Sequence, residues 1–425
     1  MEFTVSVVVP SLDAESNIAV TLQSEANWAS WMLPTPKISP TGRSGVHGWL
    51  YYYAAFSAQF VKSLLTTLRL NQDSLVLDPF VGCGTTSAVA KSMGIPSIGI
   101  ELNPIAYYVA RAKVGWKPNA PQLNKALQSL EDRLPRVEPT RDYLKWFHRR
   151  DPVVTKTLGL GQAITERVAE RGLRDFLLAA LLLSLRQMAK VTCSSNPTWI
   201  RNGKRHPMSV VEPHRAFANQ ARTMLHDLTL FTPHRKTRAE ILFGDSTKLE
   251  FDKAFNAIVT SPPYLTRIDY IVNFRMENEF LANLKLPSQI VIPDLRDEMI
   301  GTVTIPDREL AEKDPISSWG PVCVNVLERV RKHPAKASLS YYYPTIYNYF
   351  DKIYTWLQHA HAALNDDGLA FVMVQTSYFK DVEITLGDIF LEMAQNIGFH
   401  DAQKIRTELV RTRKDLHEDV LLLAK

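Results

Sequence analysis

Apolar positions in this chain fall into short unbroken runs set between longer stretches of helical period. Leu75-Val-Leu-Asp78 is one such run, and it ends in an acid followed by Pro79-Phe80. A turn, Val81-Gly-Cys-Gly84, comes next. Thr85 to Met93 then shows helical spacing, and Gly94 stands where a helix would close. Pro96 to Leu102 reads as a second strand and Pro104 to Lys113 as a second helix. This strand–helix–strand alternation predicts a parallel sheet. The pattern resumes at Glu240-Ile-Leu-Phe243, which ends in Gly244-Asp245-Ser246, and at Phe255 to Thr260, which ends in Ser261-Pro-Pro-Tyr264. Tyr347 to Leu364 has the spacing of a long amphipathic helix. A turn at Asp367-Gly368, a strand from Leu369 to Gln375 and a helix from Asp388 to Asn396 follow. Two apolar runs near 403–411 and 418–424 suit a final hairpin. The fold class expected is α/β: a Rossmann-like, mostly parallel sheet flanked by helices.

Other stretches break the alternation. Residues 1–45 form an N-terminal extension with a β-like run, Phe3 to Val9, and a proline-marked loop. Trp49 to Leu68 turns helical. The sheet domain is expected to be discontinuous, over 46–115 and 240–425. Residues 116–239 read as an insertion, helical over Asp151–Glu170 and Arg174–Lys190, then rich in Pro, Asn, His and basic residues. A second irregular insertion covers 266–340. No internal repeat is evident.

Composition narrows the classes. At 425 residues the chain can build one large core with insertions or two domains. Its net charge of +5 is compatible with a polyanionic partner without requiring one. The three cysteines, Cys83, Cys193 and Cys323, form no CxxC pair, so neither a zinc site nor a disulfide framework is expected, and no metal. The start lacks the basic region and cleavage site of a signal peptide. The longest apolar stretch, Phe176 to Leu185, is too short to span a bilayer. A cytoplasmic location and no membrane partner are expected.

The first chemical candidate is the turn after Asp78. Glycines at a strand-to-helix turn let the backbone approach a ligand, and the helix N-terminus offers free N–H groups. Glu101, at the end of the next strand, stands at the spacing of a carboxylate that accepts hydrogen bonds from ribose hydroxyls. Asp245 closes a third strand and is suited to an adenine amino group. The glycines do not spell GxGxxG and no P-loop lysine follows. Asp78 would repel a pyrophosphate, whereas S-adenosylmethionine carries an ammonium and a sulfonium, so the sign of charge favours it over NAD or ATP.

The second candidate is Thr260-Ser-Pro-Pro-Tyr264. Two prolines fix φ and remove donors, leaving carbonyls on a rigid turn. The Ser261 hydroxyl and the carbonyl of Pro262 can accept hydrogens from an exocyclic NH2, and the Tyr264 ring offers a face on which a base could stack. Such bonds localise the nitrogen lone pair, and alignment with an S–CH3 bond lowers the barrier further. A plain rigid turn is the alternative.

Together these residues resemble the motifs of the amino-methylating DNA methyltransferases. Asp78-Pro-Phe-Val-Gly-Cys-Gly-Thr-Thr86 resembles their cofactor motif, Thr260-Ser-Pro-Pro-Tyr264 their catalytic motif and Gly99-Ile-Glu-Leu-Asn-Pro104 their acidic-strand motif. Phe56-Ser57 resembles the segment that covers the methionine end of the cofactor, and Gly244-Asp-Ser246 fits the adenine side. The resemblance covers about half the chain, in separated blocks. It implies a seven-stranded sheet ending in an antiparallel hairpin, S-adenosylmethionine as cofactor, and flipping of a base out of duplex DNA. It also implies cofactor-binding roles for Phe56, Asp78, Pro79, Phe80, Gly82, Gly84, Thr85, Thr86, Glu101, Asn103, Asp245 and Ser246, and catalytic roles for Ser261, Pro262, Pro263 and Tyr264. In that family SPPY is usual for cytosine-N4 enzymes and DPPY or NPPY for adenine-N6 enzymes. The expected enzyme is therefore a site-specific cytosine-N4 DNA methyltransferase of restriction-modification type, which would work beside a cognate endonuclease. One departure is the motif order: many cytosine-N4 enzymes carry SPPY before the cofactor motif, and here it follows.

Between Arg201 and Glu240 eight Lys or Arg face three acids, and Asn196, Trp199, Arg201, Lys204 and Arg205 cluster at its start. These, with Arg267 just after the catalytic turn, are the candidates for contacting DNA. A solvated basic loop is the plain alternative. Adenine-N6 methylation, methylation of structured RNA, and a DNA-binding homologue without activity are the competing functions.

Overall fold

The fold is described from a computed structural model, for residues 5–7, 33–38, 42–52, 55–146, 152–189, 192–193, 200–201, 212–231, 236–252, 254–265, 269–287, 291–302, 308–410 and 413–425. Seven strands form the main sheet: β1 (Val76–Asp78), β2 (Ser97–Glu101), β3 (Ala239–Phe243), β4 (Phe255–Thr260), β5 (Leu364–Gln375), β6 (Asp401–Val410) and β7 (Arg413–Ala424). Their spatial order is β6-β7-β5-β4-β1-β2-β3. β1 pairs parallel with β2 and β4, β2 with β3, and β4 with β5. β7 is antiparallel to both β5 and β6. The mostly parallel sheet and its antiparallel hairpin are thus observed.

Side-chain alternation explains why helices cover both faces. Val76, Ala257, Val259, Phe371, Met373, Val420 and Leu422 point to one face, with α1 (Ala58–Thr67) and part of α2 (Thr85–Ser92). Their neighbours Leu77, Ile258, Val372, Val374, Leu421 and Leu423 point to the other. There they meet α11 (Pro321–Lys332), α12 (Tyr343–Ala363) and α13 (Leu386–Ile397). A strand buried on both faces reads as a continuous apolar run, which is why β1 and β4 were visible in the sequence.

A further core lies beyond β3. α3 (Pro104–Val114), α4 (Ala120–Ser129), α5 (Pro152–Arg167), α6 (Arg171–Ala189) and α7 (Pro213–Phe231) pack together, with α9 (Arg275–Asn283) against α3. Short α8 (Tyr270–Asn273) and α10 (Ile292–Glu298) lie on either side of α9 in the chain. Leu177, Leu178, Leu181, Leu182 and Leu185 of α6 are all buried, since α3, α5 and α7 surround that helix. Among the described residues no helix is long and apolar enough to cross a membrane.

Two expected elements differ. The helix predicted from Trp49 begins only at Ala58. Before it, Phe56 bridges to Lys37, and the Tyr52 ring stacks on Tyr270 and Phe274 at 4.9 and 5.7 Å, so tertiary contacts override the local helical pattern. The turn expected at Asp367-Gly368 lies within β5, where the register against β4 shifts between Phe255 and Ala257.

Candidate active-site crevice

Chain order carries the sheet outward from β1 to β2 and β3, then back to β4 on the other side of β1. Such a reversal leaves a crevice at the carboxyl ends of the strands, the usual ligand site of open α/β sheets. The two tips that flank the reversal are Asp78 and Thr260. Thr260 Oγ1 donates to Asp78 Oδ1 at 2.7 Å, and Thr86 Oγ1 donates to Asp78 Oδ2 at 2.6 Å. The backbone N–H of Phe80 adds a third bond at 3.2 Å. Asp78 is 1% exposed, so its carboxylate faces these partners and stays outside the crevice lining. Burial pushes its pKa up to about 6 against the pull of those three donors.

The crevice, together with the open solvent at its mouth, spans about 780 Å³. Phe56, Pro79, Phe80, Gly82, Thr85, Glu101, Asp245, Ser246, Ser261 and Pro263 line it among the residues singled out from sequence. Gly84, Thr86, Asn103, Pro262 and Tyr264 do not. Gly84 caps α2 at φ +85°, and a Cβ there would lie 2.9 Å from the Ala110 backbone, so only glycine lets α2 start this close to α3.

Glu101 lies in the floor. Its Oε1 accepts from the Asn103 N–H at 2.7 Å. Burial pushes its pKa up to about 7, opposed by the backbone N–H groups of Asn103, Gly82 and Leu102 and reinforced by the charge of Asp78. Asn103 is fully buried; its Nδ2 donates to the Tyr270 carbonyl at 3.2 Å, while its Oδ1 has no hydrogen-bond partner among the described residues. Asp245 Oδ1 accepts from both the backbone and the hydroxyl of Thr247, at 2.9 and 2.8 Å.

On the opposite rim the Ser261 hydroxyl, the Pro263 carbonyl and the Tyr264 hydroxyl are each held from behind. Ser261 Oγ donates to the Met373 carbonyl at 3.2 Å, which leaves its lone pairs to serve as acceptors. Tyr349 of α12 is buried, and its hydroxyl donates to the Pro263 carbonyl at 3.1 Å. No described group donates to the carbonyl of Pro262. The Tyr264 hydroxyl donates to Glu418 Oε1 of β7 at 3.2 Å, and Lys37 approaches the other oxygen of Glu418 at 3.5 Å. The Tyr264 ring is 6% exposed.

Several lining residues carried no sequence signal. Tyr52, Met299 and Ile300 are among them. Met299 and Ile300 are held by Lys352, whose Nζ donates to the Asp297 and Glu298 carbonyls at 2.6 and 2.8 Å, at the end of α10. The run Tyr51-Tyr-Tyr53 was the available hint for Tyr52, but an aromatic run does not say which ring faces a ligand. The DNA candidates Asn196, Trp199, Lys204, Arg205 and Arg267 lie outside the described residues, and of Arg201 only the backbone is described, paired with Thr192. Among the described residues no group of three or more His, Cys, Asp or Glu is placed to hold a metal ion.

With this geometry in place, known proteins supply the context. Residues 12–112 match the model of a DNA methylase family. The chain is similar to the Type II methyltransferase M.BsoBI of Geobacillus stearothermophilus, 24% identical over 283 residues, 56% of this chain and 53% of that protein. It is also similar to the Type II methyltransferase M.AvaI of Nostoc sp., 24% identical over 296 residues, 64% of this chain and 59% of that protein. A shorter stretch of 69 residues is 38% identical to the Type II methyltransferase M.MjaII of Methanocaldococcus jannaschii, 16% of this chain and 13% of that protein. The chain therefore spans only about half to three fifths of the length of the first two relatives. Methyltransferases of this kind use S-adenosylmethionine, and the crevice suits that molecule. Its floor carries two carboxylates, Glu101 and Asp245, for hydroxyl and amino hydrogens, and among the described residues no lysine lines the crevice beside the glycine turn.

Proposed function

We propose that the chain is an S-adenosylmethionine-dependent DNA methyltransferase that modifies the exocyclic N4 amino group of a cytosine flipped out of duplex DNA. The observation that carries this reading is the meeting of the two strand tips. Thr260 is bonded to Asp78, and Ser261 lines the same crevice as Glu101 and Asp245. The likeness to DNA methylases over residues 12–112 supports the DNA substrate, and SPPY supports cytosine-N4 over adenine-N6.

When bound, the cofactor supplies an electrophilic methyl on a sulfonium. Glu101 would accept the ribose hydroxyls, Asp245 and Ser246 would meet the adenine side, and Phe56 would cover the methionine end. On the other rim, Ser261 Oγ and the Pro262 carbonyl would accept the two amino hydrogens. Those bonds pull the nitrogen lone pair out of the ring and aim it at the methyl. Bond formation makes the nitrogen acidic, so a proton leaves to water without a dedicated base. Asp78 acts one step back, holding β1 to β4 through Thr86 and Thr260.

The test is incubation with methyl-labelled cofactor and mixed-sequence duplex DNA, followed by nucleoside mass spectrometry. N4-methylcytosine is expected. N6-methyladenine would overturn the cytosine assignment and keep the rest. Label only in structured RNA would overturn the DNA substrate, and a chain that binds DNA without transferring label would overturn the enzyme. A cognate endonuclease and the restriction-modification setting are part of the same reading, tested by whether methylation protects one short DNA sequence from cleavage.

A further inference from the structure

Tyr264 ends the catalytic turn, and two distant parts of the chain hold it in place. Gly301, at φ +77°, packs so closely on its backbone that a Cβ there would stand 2.7 Å from the Tyr264 carbonyl oxygen. At the far end of the ring the hydroxyl donates to Glu418 Oε1 of β7 at 3.2 Å. The Glu418 side chain is 13% exposed, and Lys37 Nζ lies 3.5 Å from its other oxygen. Burial pushes the Glu418 carboxyl above its ordinary range, and Lys37 and the Tyr264 hydroxyl oppose that push. Lys37 belongs to a short segment, residues 33–38, that is tied down on two sides. Toward the hairpin, Thr35 Oγ1 donates to Glu408 Oε2 at 2.7 Å, Arg406 Nη1 donates to the Leu33 carbonyl, and Lys37 Nζ lies 3.8 Å from Glu408. Toward the crevice, the Pro36 carbonyl accepts from the Ser57 N–H at 2.7 Å, and Lys37 bridges to Phe56, which lines the crevice. The segment therefore joins the Phe56 wall to the hairpin that carries Glu418.

We infer that Glu418 is a positioning residue for methyl transfer: it fixes the tilt of the Tyr264 ring through the hydroxyl, and Lys37 of the segment 33–38 holds Glu418 in turn. This rests on the reading of Tyr264 as the ring on which the flipped base stacks. Only 6% of Tyr264 is exposed, so a small tilt of the ring changes most of the surface that a base could meet. An aromatic side chain turns about two bonds, and a tie at the hydroxyl end removes both freedoms at once. A partly buried ion pair contributes little to stability, because desolvation offsets the attraction. What the Lys37–Glu418 pair supplies is a fixed acceptor for one phenol. The stacking face that acts on the base is thus set by β7 and by the segment 33–38, neither of which touches the cofactor turn.

The full chain and its variants are compared in single-turnover transfer from methyl-labelled cofactor to unmethylated bacterial genomic DNA, with S-adenosylhomocysteine affinity measured by calorimetry. Tyr264→Phe keeps the ring and loses the tie, and should slow transfer about ten-fold, the usual effect of a hydrogen bond to a charged group. Glu418→Leu should do the same. The double variant should also be about ten-fold slower, not a hundred-fold, because both changes remove one bond. Glu418→Gln keeps an acceptor oxygen and should stay within about three-fold of the parent chain. Lys37→Met should slow transfer about three-fold in the parent and not at all in Glu418→Leu. S-adenosylhomocysteine affinity should hold within about two-fold throughout. If Glu418→Leu does not fold, Tyr264→Phe and Glu418→Gln still decide the matter. Three results overturn the inference: full transfer in Tyr264→Phe, multiplying effects in the double variant, or a Glu418→Gln as slow as Tyr264→Phe. A parent chain that transfers no label to DNA sinks the proposed function itself. A parent that transfers label while Tyr264→Phe matches it sinks the positioning role alone.

Discussion

The two rims of the crevice solve different problems. The rim at β1 and β2 buries two carboxylates, Asp78 and Glu101, with pKa values pushed up to about 6 and about 7. The rim at β4 carries uncharged groups, the Ser261 hydroxyl and the Pro263 carbonyl, bonded to Met373 and Tyr349 of neighbouring elements. A cationic ligand rewards the first arrangement, since its charge compensates Glu101, which lines the crevice and whose ionised form burial alone disfavours. A neutral aromatic amine rewards the second, where direction matters more than charge. The comparison implies that the first rim responds to pH and ligand charge and the second to small changes in geometry.

Asp78→Ala should break the comparison most severely, because Asp78 belongs to both rims. The substitution strands the Thr86 and Thr260 hydroxyls in a buried site and cuts the tie between β1 and β4. A loss of about 3 kcal/mol in unfolding free energy is expected, from the usual cost of unpartnered buried groups. Cofactor affinity and turnover should both fall by roughly a hundred-fold, as the tips separate. Denaturant melts and calorimetry check this; a stable variant with intact turnover would remove the tie from the mechanism.

Ser261→Ala comes next and should separate the rims. Turnover should fall about a hundred-fold, the usual effect of removing one aimed hydrogen-bonding group. Cofactor affinity should hold within about two-fold, because the lost bond belongs to the substrate side. Single-turnover kinetics beside calorimetry would read both. A loss of cofactor affinity with unchanged turnover would place Ser261 on the wrong rim.

How much of this was legible follows the same division. The β1 and β4 tips were legible because a buried strand, a glycine turn and a double proline each leave a local mark. What orients those tips was not. Met373, Tyr349 and Glu418, which bond to the β4 tip, come from segments 86 to 154 residues away and sit in ordinary helical and strand patterns, so only the tertiary fold reveals them. The sequence also suggested that Asp78 would meet the cofactor's charge directly, whereas its oxygens are taken by Thr86, Thr260 and Phe80. Residue type at a strand end identifies the crevice; it does not say whether the side chain looks into it or back into the core.

Glu101 sharpens the electrostatic half. Its folded pKa is raised from 4.5 to about 7, so the buried acid is favoured in its protonated form. The stability this contributes is present below pH 4.5 and is lost as pH rises through about 7. Binding runs the other way, because the ionised carboxylate is the better acceptor for ribose hydroxyls and the better partner for a cation. Cofactor affinity should rise by up to about ten-fold from pH 6 to pH 8, limited by the tenfold change in ionisation per pH unit. Glu101→Gln should bind roughly ten-fold more weakly at pH 8 and show a flat profile, having lost a charged acceptor. An unchanged pH slope in that variant would assign the dependence to another group.

Tyr349→Phe should give the smallest effect and the finest discrimination. The substitution removes one hydroxyl and leaves the buried ring in place. The Pro263 carbonyl then loses its donor and the turn gains freedom to rotate. One neutral hydrogen bond is worth about 1 kcal/mol, so turnover should fall roughly five-fold. The reduction should appear in the methyl-transfer step, with cofactor affinity unchanged, because the lost bond is to the Pro263 carbonyl of the β4 rim. If Tyr349→Phe weakened cofactor binding as much as turnover, the rims would not be separable. The crevice would then act as one elastic unit, and the division between charge on one side and direction on the other would have to be abandoned.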